Sequence, residues 1–322
     1  INAGAGTGKT HVLARRVLRL QAEELLEANR TLVVSFSRPG SRAIGDRVRQ
    51  LSKQLGLRPI QVRTFHSLCY QMMHLLGKKP VMVKKVRLPK QLQGNNTYFN
   101  RRWYNAILVD LFVGELSKLP QTGSDGGGWG QTINDYESIL DSIRSGHPSL
   151  QAVIVRSDEL DRPTLPDELS LRDGGKSLPR ESVLKVLQAY ERELMSRRLI
   201  DYAGMVGICL HALRTDANFR LQMQTRIAHL LVDEFQDTSR AQEEMMRLLV
   251  GPLSGLTVVG DNDQTIFTFN GSDVSNILEF SKRNTQARNG LKTTIIPLEE
   301  NFRCTARILS VAGRIVAINK HR

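Results

Sequence analysis

Ala3-Gly4-Ala5-Gly6-Thr7-Gly8-Lys9-Thr10 is the stretch that decides the fold. A loop that cradles phosphates needs small residues, so that successive backbone N–H groups can turn inward on the anion. It also needs a lysine to reach the terminal phosphates and a hydroxyl to bind Mg²⁺. Gly4, Gly6 and Gly8 are the small residues, Lys9 the cation and Thr10 the hydroxyl, while Ala3 fills the first position, where glycine is commoner. Alone, such a loop serves any nucleotide enzyme.

Apolar residues Val12, Leu13, Val17, Leu18, Leu25 and Leu26 recur at helical spacing after the loop and predict a helix to about Asn29. A buried-type strand at Thr31–Phe36, a helix containing Arg42–Leu55 and a short strand at Ile60–Val62 follow. Helices are expected at Glu181–Arg198 and after Asp201, then strands at Ala228–Val232, Leu256–Val259 and around Thr293–Leu298, and one helix over the last 20 or so residues. Short apolar strands alternating with helices predict a parallel sheet covered on both faces. Between them, from about Lys78, the basic VKKVRLPKQ, the Gly-rich Gly123–Gly130 and the turn-rich Asp161–Pro179 read as a helix-rich insertion with flexible loops. Ile1-Asn2-Ala3 runs straight into the loop, so little of its feeding strand is expected.

In His229–Ser239, HLLVDEFQDTS, two carboxylates follow an apolar strand directly. In a parallel sheet that puts Asp233 and Glu234 at the C-terminal strand edge, beside the phosphate loop. There Asp233 can hold Mg²⁺ through its water shell and Glu234 can polarise an attacking water. Carboxylates are also common wherever a helix follows a strand. The two halves of a phosphate site standing in order favour the chemical reading.

Lys+Arg number 45 against 32 Asp+Glu, a net charge of +13. Ile1–Asp110 hold 20 basic and 5 acidic residues, or +15, and the remainder hold 25 and 27, or −2. So lopsided an excess suits a polyanionic partner, because each phosphate neutralised releases a counterion. Cys69, Cys209 and Cys304 are too scattered for a zinc site or a disulfide framework, and read as buried thiols in a reducing compartment. No apolar run approaches bilayer-spanning length, and no charged-then-apolar leader opens the chain, so no membrane partner is expected.

With the carboxylate run in view, the sequence resembles the UvrD/Rep/PcrA type of superfamily-one DNA helicases. Its D-E-x-Q-D signature stands here as Asp233-Glu234-Phe235-Gln236-Asp237. TFHS at Thr64–Ser67, GDNDQTIFTFNGSD at Gly260–Asp273 and LEENFR at Leu298–Arg303 support it in the family's order, over Ala3–Gly77 and Leu199–Arg322. The resemblance implies an α/β fold, a RecA-like P-loop NTPase domain with a parallel sheet and helices on both faces, carrying a mainly helical inserted subdomain. On that basis 1–80 and 200–297 form the first RecA-like domain, 81–199 the insertion, and 298–322 the start of a second RecA-like domain.

The resemblance further implies ATP and Mg²⁺ as cofactors, with Ala3, Gly4, Ala5, Gly6, Thr7, Gly8, Lys9, Thr10, His11 and Phe302 around the nucleotide and Thr10 and Asp233 at the metal. Glu234, Lys9, Gln264 and Arg303 would carry catalysis: Gln264 contacts the γ-phosphate, and Arg303 stabilises charge on the transferring phosphoryl group. Phe302 stands where an adenine-stacking tyrosine is usual, and His11 where an arginine forms the other face of that sandwich. Ser35, Phe36, Arg38, Thr64, His66, Phe267 and Phe269 would contact DNA; a packing role is equally open for each phenylalanine, and a structural one for His66.

The implied activity is ATP-driven 3′-to-5′ movement on single-stranded DNA and unwinding at single-/double-strand junctions, in replication, repair or recombination. The implied location is intracellular: cytoplasm or nucleoid in a bacterium, nucleus in a eukaryote. Without a complete second domain, weak ATP turnover is expected. Two other readings stand beside it, a nuclease-coupled subunit of the RecB/AddA kind and a DNA-binding anti-recombination module whose motor has degenerated. Arg38-Pro39-Gly40-Ser41 replaces a polar-Lys-Ala-Ala run, Asn270 an arginine, and Gly204 an acidic residue, which marks a divergent member.

Overall fold

The computed structural model describes residues 1–4, 6–23, 27–94, 98, 101–119, 121–122, 128–145, 168–170, 177–251, 254–265, 272–287 and 292–318. Ala5, Phe267, Phe269 and Asn270, with 123–127 of the Gly-rich stretch, lie outside these. In chain order the elements are β1 (Asn2–Ala3), α1 (Lys9–Ala22), β2 (Thr31–Ser35), α2 (Arg38–Leu55), β3 (Gln61–Thr64), α3 (Phe65–Leu75), β4 (Lys85–Arg87), β5 (Trp103–Asn105), α4 (Ala106–Val113) and α5 (Gly128–Ser145). There follow β6 (Glu168–Ser170), β7 (Ser177–Pro179), α6 (Arg180–Ser196), α7 (Tyr202–Thr215), α8 (Ala217–Arg226), β8 (His229–Val232), α9 (Arg240–Leu249), β9 (Gly255–Val258), α10 (Ser275–Leu278), α11 (Phe280–Ala287), β10 (Pro297–Leu298) and α12 (Ala306–Val316).

The chain divides into two compact units, one of Ile1–Cys69, Leu210–Thr268 and Ser272–Arg322, the other of Tyr70–Cys209 and Phe269–Gly271. In the first, β3-β2-β8-β9 form a parallel sheet, with Val33 registered against Val62 and Leu231. β1 extends it, since Asn2 bridges Gly260 just past β9 and the Ala3 N–H donates to the Gly260 carbonyl at 3.0 Å. β10 then pairs with β1. That ladder covers Pro297–Leu298 only, shorter than the strand expected around Thr293–Leu298.

Alternation along the strands buries both faces of the sheet. Val33 and Leu231 pack with Leu13, Ala14, Val17 and Leu18 of α1 and with Ile44 and Val48 of α2. Val34, Leu230 and Val232, on the opposite face, are buried too. α2, expected to contain Arg42–Leu55, starts at Arg38. Ser37 caps it by accepting the Gly40 N–H at 3.0 Å, Pro39 tolerates the first turn, and Gly56 closes it in a left-handed conformation.

The second unit has its own core, in which Tyr104, Ile107, Leu108 and Phe112 meet Ile133, Tyr136 and Leu140 of α5 and Val186, Leu187 and Tyr190 of α6. β4 and β5 form an antiparallel hairpin, as do β6 and β7. Its entering and leaving strands run side by side, the Val83 N–H donating to Ile200 and the Ile200 N–H to Val81. This is the geometry that lets a domain be inserted in a loop of another.

Arg144 of α5 is buried and pairs with Asp201 at 2.5 Å, and Asp201 also accepts from the Tyr190 hydroxyl at 2.8 Å and from the Gly204 N–H at 2.7 Å. Burial pushes the Asp201 carboxyl up, yet Arg144, the Gly204 N–H and Tyr190 together outweigh it and hold the group below the usual carboxylate range. A side chain at 204 would begin 2.6 Å from the Arg144 guanidinium and 2.7 Å from Asp201 Oδ1, so glycine at this position leaves room for the pair. Asp201→Ala strands a buried cation and is expected to cost about 3–5 kcal/mol, read as a lower urea midpoint. Replacing both partners, Arg144→Met with Asp201→Asn, is expected to cost less than that single change.

Candidate nucleotide site

The loop between β1 and α1 turns on Gly6 and Gly8, at φ 77° and 79°, a region that side chains disfavour. Thr7 is buried and its hydroxyl donates to the Gly4 carbonyl at 2.8 Å, fixing the loop from within. Lys9 begins α1, and Thr10 and His11 follow in its first turn.

At the end of β8 the chain breaks sharply, and Glu234 takes a left-handed backbone at φ 50°, uncommon for any residue but glycine. The break brings the Glu234 carboxylate 3.5 Å from Lys9 Nζ. Asp233 and Asp237 are buried beside it. Burial first, then the Glu234 charge, pushes the Asp233 carboxyl up to about 6 and that of Asp237 up to about 7. Among the described residues Lys9 Nζ, Asp233 Oδ1 and Asp237 Oδ1 are buried without a hydrogen-bond partner. Nature rarely leaves such groups unsatisfied. A cation and carboxylates so placed, beside a glycine-rich loop, fit a magnesium-bound polyphosphate.

Gln236 connects this cluster to the next strand. Its amide donates to Glu234 at 2.8 Å and its carbonyl accepts the Asp261 N–H at 2.9 Å, while Asp261 accepts from the Gln264 side chain. A Cβ at Gly260 would sit 2.6 Å from the Gln236 oxygen, so only glycine admits the link. Across the loop, the Phe302 N–H donates to the Gly6 carbonyl at 3.0 Å, and Asn301 Oδ1 accepts the Arg303 and Cys304 N–H groups. Arg303 and Phe302 are exposed there.

The structure therefore gathers Lys9, Asp233, Glu234, Phe302 and Arg303 about one loop, with Gln264 joined to them through Asp261 and Gln236. Gln236, Asp237, Asp261 and Asn301 are functional candidates that the sequence reading left unassigned, although each lies inside a quoted motif. Of the residues expected at DNA, Ser35 is buried and Phe36 half-buried. His66 has its pKa lowered by burial and then by the Arg38 charge, so these two lie within electrostatic reach. Thr64 and Ser67 cap α3 reciprocally, each hydroxyl accepting the other's N–H.

A sequence model described as the UvrD/REP helicase N-terminal domain matches residues 1–285. The chain belongs to that family. Family members carry a RecA-like P-loop fold, which the parallel sheet and loop here share. The chain is 28% identical to ATP-dependent DNA helicase UvrD1 of Mycobacterium tuberculosis, with all of this chain and 38% of that protein aligned. It is 28% identical to a probable DNA helicase II homolog of Rickettsia conorii, covering 99% of this chain and 42% of that one. It is 27% identical to ATP-dependent DNA helicase PcrA of Leuconostoc citreum, covering 100% and 37%. The chain thus spans about two fifths of the length of these relatives.

A carboxyl with a higher pKa folded than unfolded gains a proton on folding. Its stabilising contribution is complete below about pH 4 and is lost as pH rises through its folded value, about 7 for Asp237. Asp237→Asn is accordingly expected to raise the Tm of the nucleotide-free chain at pH 8 by about 2–4 °C, with the gain shrinking as pH falls and vanishing near pH 4. Thermal unfolding followed by circular dichroism at the two pH values checks it.

Proposed function

We propose that this chain is the ATP-binding front part of a single-stranded-DNA-stimulated motor that hydrolyses ATP and moves 3′ to 5′, unwinding duplex at junctions. The observation that carries this reading is the buried, hydrogen-bond-free set of Lys9 Nζ, Asp233 Oδ1 and Asp237 Oδ1 at the phosphate loop. That set matches what Mg²⁺ and a triphosphate would satisfy, and the resemblance to helicases named as ATP-dependent agrees with it.

On this reading Lys9 leaves Glu234 for the terminal phosphates, which frees Glu234 to accept a proton from water. Gln236 holds the Glu234 carboxylate in aim. Thr10 and Asp233 would hold Mg²⁺, which would offset the charge of the β- and γ-phosphates. Gln264 reads the γ-phosphate, and Arg303 steadies charge on the phosphoryl group as it transfers. Residues 1–80 and 200–297 act as the first RecA-like domain and 81–199 as its insertion. Residues 298–322 act as the beginning of the second.

Phe36, Arg38, Thr64 and His66 serve the strand, together with Phe267 and Phe269, and the +15 balance of the first 110 residues supports a polyanionic partner. We place the protein inside the cell, where DNA is found; among the described residues no helix is long and apolar enough to cross a membrane.

Lys9→Ala is expected to weaken Mg-ATP binding at least about tenfold and to abolish DNA-stimulated turnover in the full-length protein. Glu234→Gln is expected to keep ATP binding while lowering turnover about 10²–10³-fold. Wild-type DNA-stimulated turnover in either variant overturns the assignment.

A further inference from the structure

His11 lies in the first turn of α1, two residues past Lys9, and its Nδ1 is 2.9 Å from Nη2 of Arg47 on α2. A guanidinium only donates hydrogen bonds, so Nδ1 must be the acceptor, and the ring proton sits on Nε2. Arg47 is therefore oriented by His11 and leaves a fixed positive charge beside it.

The surroundings indicate what such a pair faces. Phosphates held on the loop leave the rest of a nucleotide within reach of the first turn of α1. Two flat side chains border the loop: the half-exposed His11, and Phe302, which is 73% exposed although its own backbone is bonded to Gly6. An exposed phenylalanine and a neutral imidazole backed by a guanidinium are surfaces that attract the π-face of a heteroaromatic base.

We propose that Arg47 is a positioning residue for the nucleotide base: it fixes His11 as the Nε2–H tautomer and supplies the positive charge that the neutral ring lacks. It acts on the base through His11, not on the phosphates. Nothing in the local sequence around Arg47 marks it, because the partner is 36 residues away on another helix. The inference rests on the loop being a nucleotide site, as proposed above.

Calorimetric titration of this chain with ATP and with inorganic tripolyphosphate, each with Mg²⁺, separates the two claims. Arg47→Ala is expected to weaken ATP binding about fivefold and leave tripolyphosphate within about twofold. His11→Ala should match it, and the double variant should be no weaker than either single, as expected for one coupled unit. Arg47→Lys, which keeps a charged donor and guards against a folding defect, should stay within about twofold of the wild type for ATP. Unchanged ATP affinity in Arg47→Ala, equal loss for both ligands, or multiplying losses in the double variant overturns the role of Arg47. Failure of the site itself looks different: Lys9→Ala would then bind both ligands as the wild type does.

Discussion

Everything at the candidate site depends on one buried cation facing three carboxylates. Lys9 lies against Glu234, with Asp233 and Asp237 behind, and no hydrogen bond among the described residues satisfies the ammonium. Charges taken from water without full pairing are costly, so the fold must impose the arrangement from outside. It does so through the sheet. β8 is central, with Leu230, Leu231 and Val232 buried and β2 and β9 as its neighbours, and the Asp233 and Phe235 N–H groups are bonded to the Val34 carbonyl on β2 and the Val259 carbonyl just past β9. The carboxylates cannot move away from the loop without breaking ladder hydrogen bonds. Two of them respond by holding protons more tightly, which lowers the charge the site confines.

The same carboxylate segment holds both ends of the loop that follows Gln264. At the near end Gln236 grips Glu234 and Asp261 together. At the far end Arg240 pairs with Asp273 at 2.6 Å, Asn276 donates to the Thr238 carbonyl at 2.9 Å, and Ser239 bridges Ser272. A shift of Glu234 as Lys9 changes partner would thus be felt at both anchors. This is a connection of hydrogen bonds, those of Asp261 to Gln236 and of Asn276 to Thr238 buried.

Much of this was legible in the sequence, for reasons that particular residues show. The phosphate loop declares itself because positive φ at Gly6 and Gly8 admits little else, and the strand edge because HLLV is apolar and DE is not. Element ends were less legible. α2 begins at Arg38 because Ser37 and Pro39 start a helix that carries no buried apolar side chain until Ile44. Arg47 and Gln236 escaped because their roles come from tertiary partners, which no periodicity encodes.

The departures from the family pattern are better understood as local solutions than as decay. Gly204 looks like the loss of an acid until Arg144 is seen filling the space a side chain would need. Gly40 likewise stands where a Cβ would begin 2.6 Å from the Ser35 hydroxyl. Arg38 in the same run places a cation within electrostatic reach of His66, so a positive charge is present even though the lysine is absent. His11 follows the same logic one helix away. An imidazole replaces a guanidinium, and a guanidinium reappears at 2.9 Å from a neighbouring helix. Charge and shape at a point in space, with freedom in which residue supplies them, are what packing and electrostatics demand of a site.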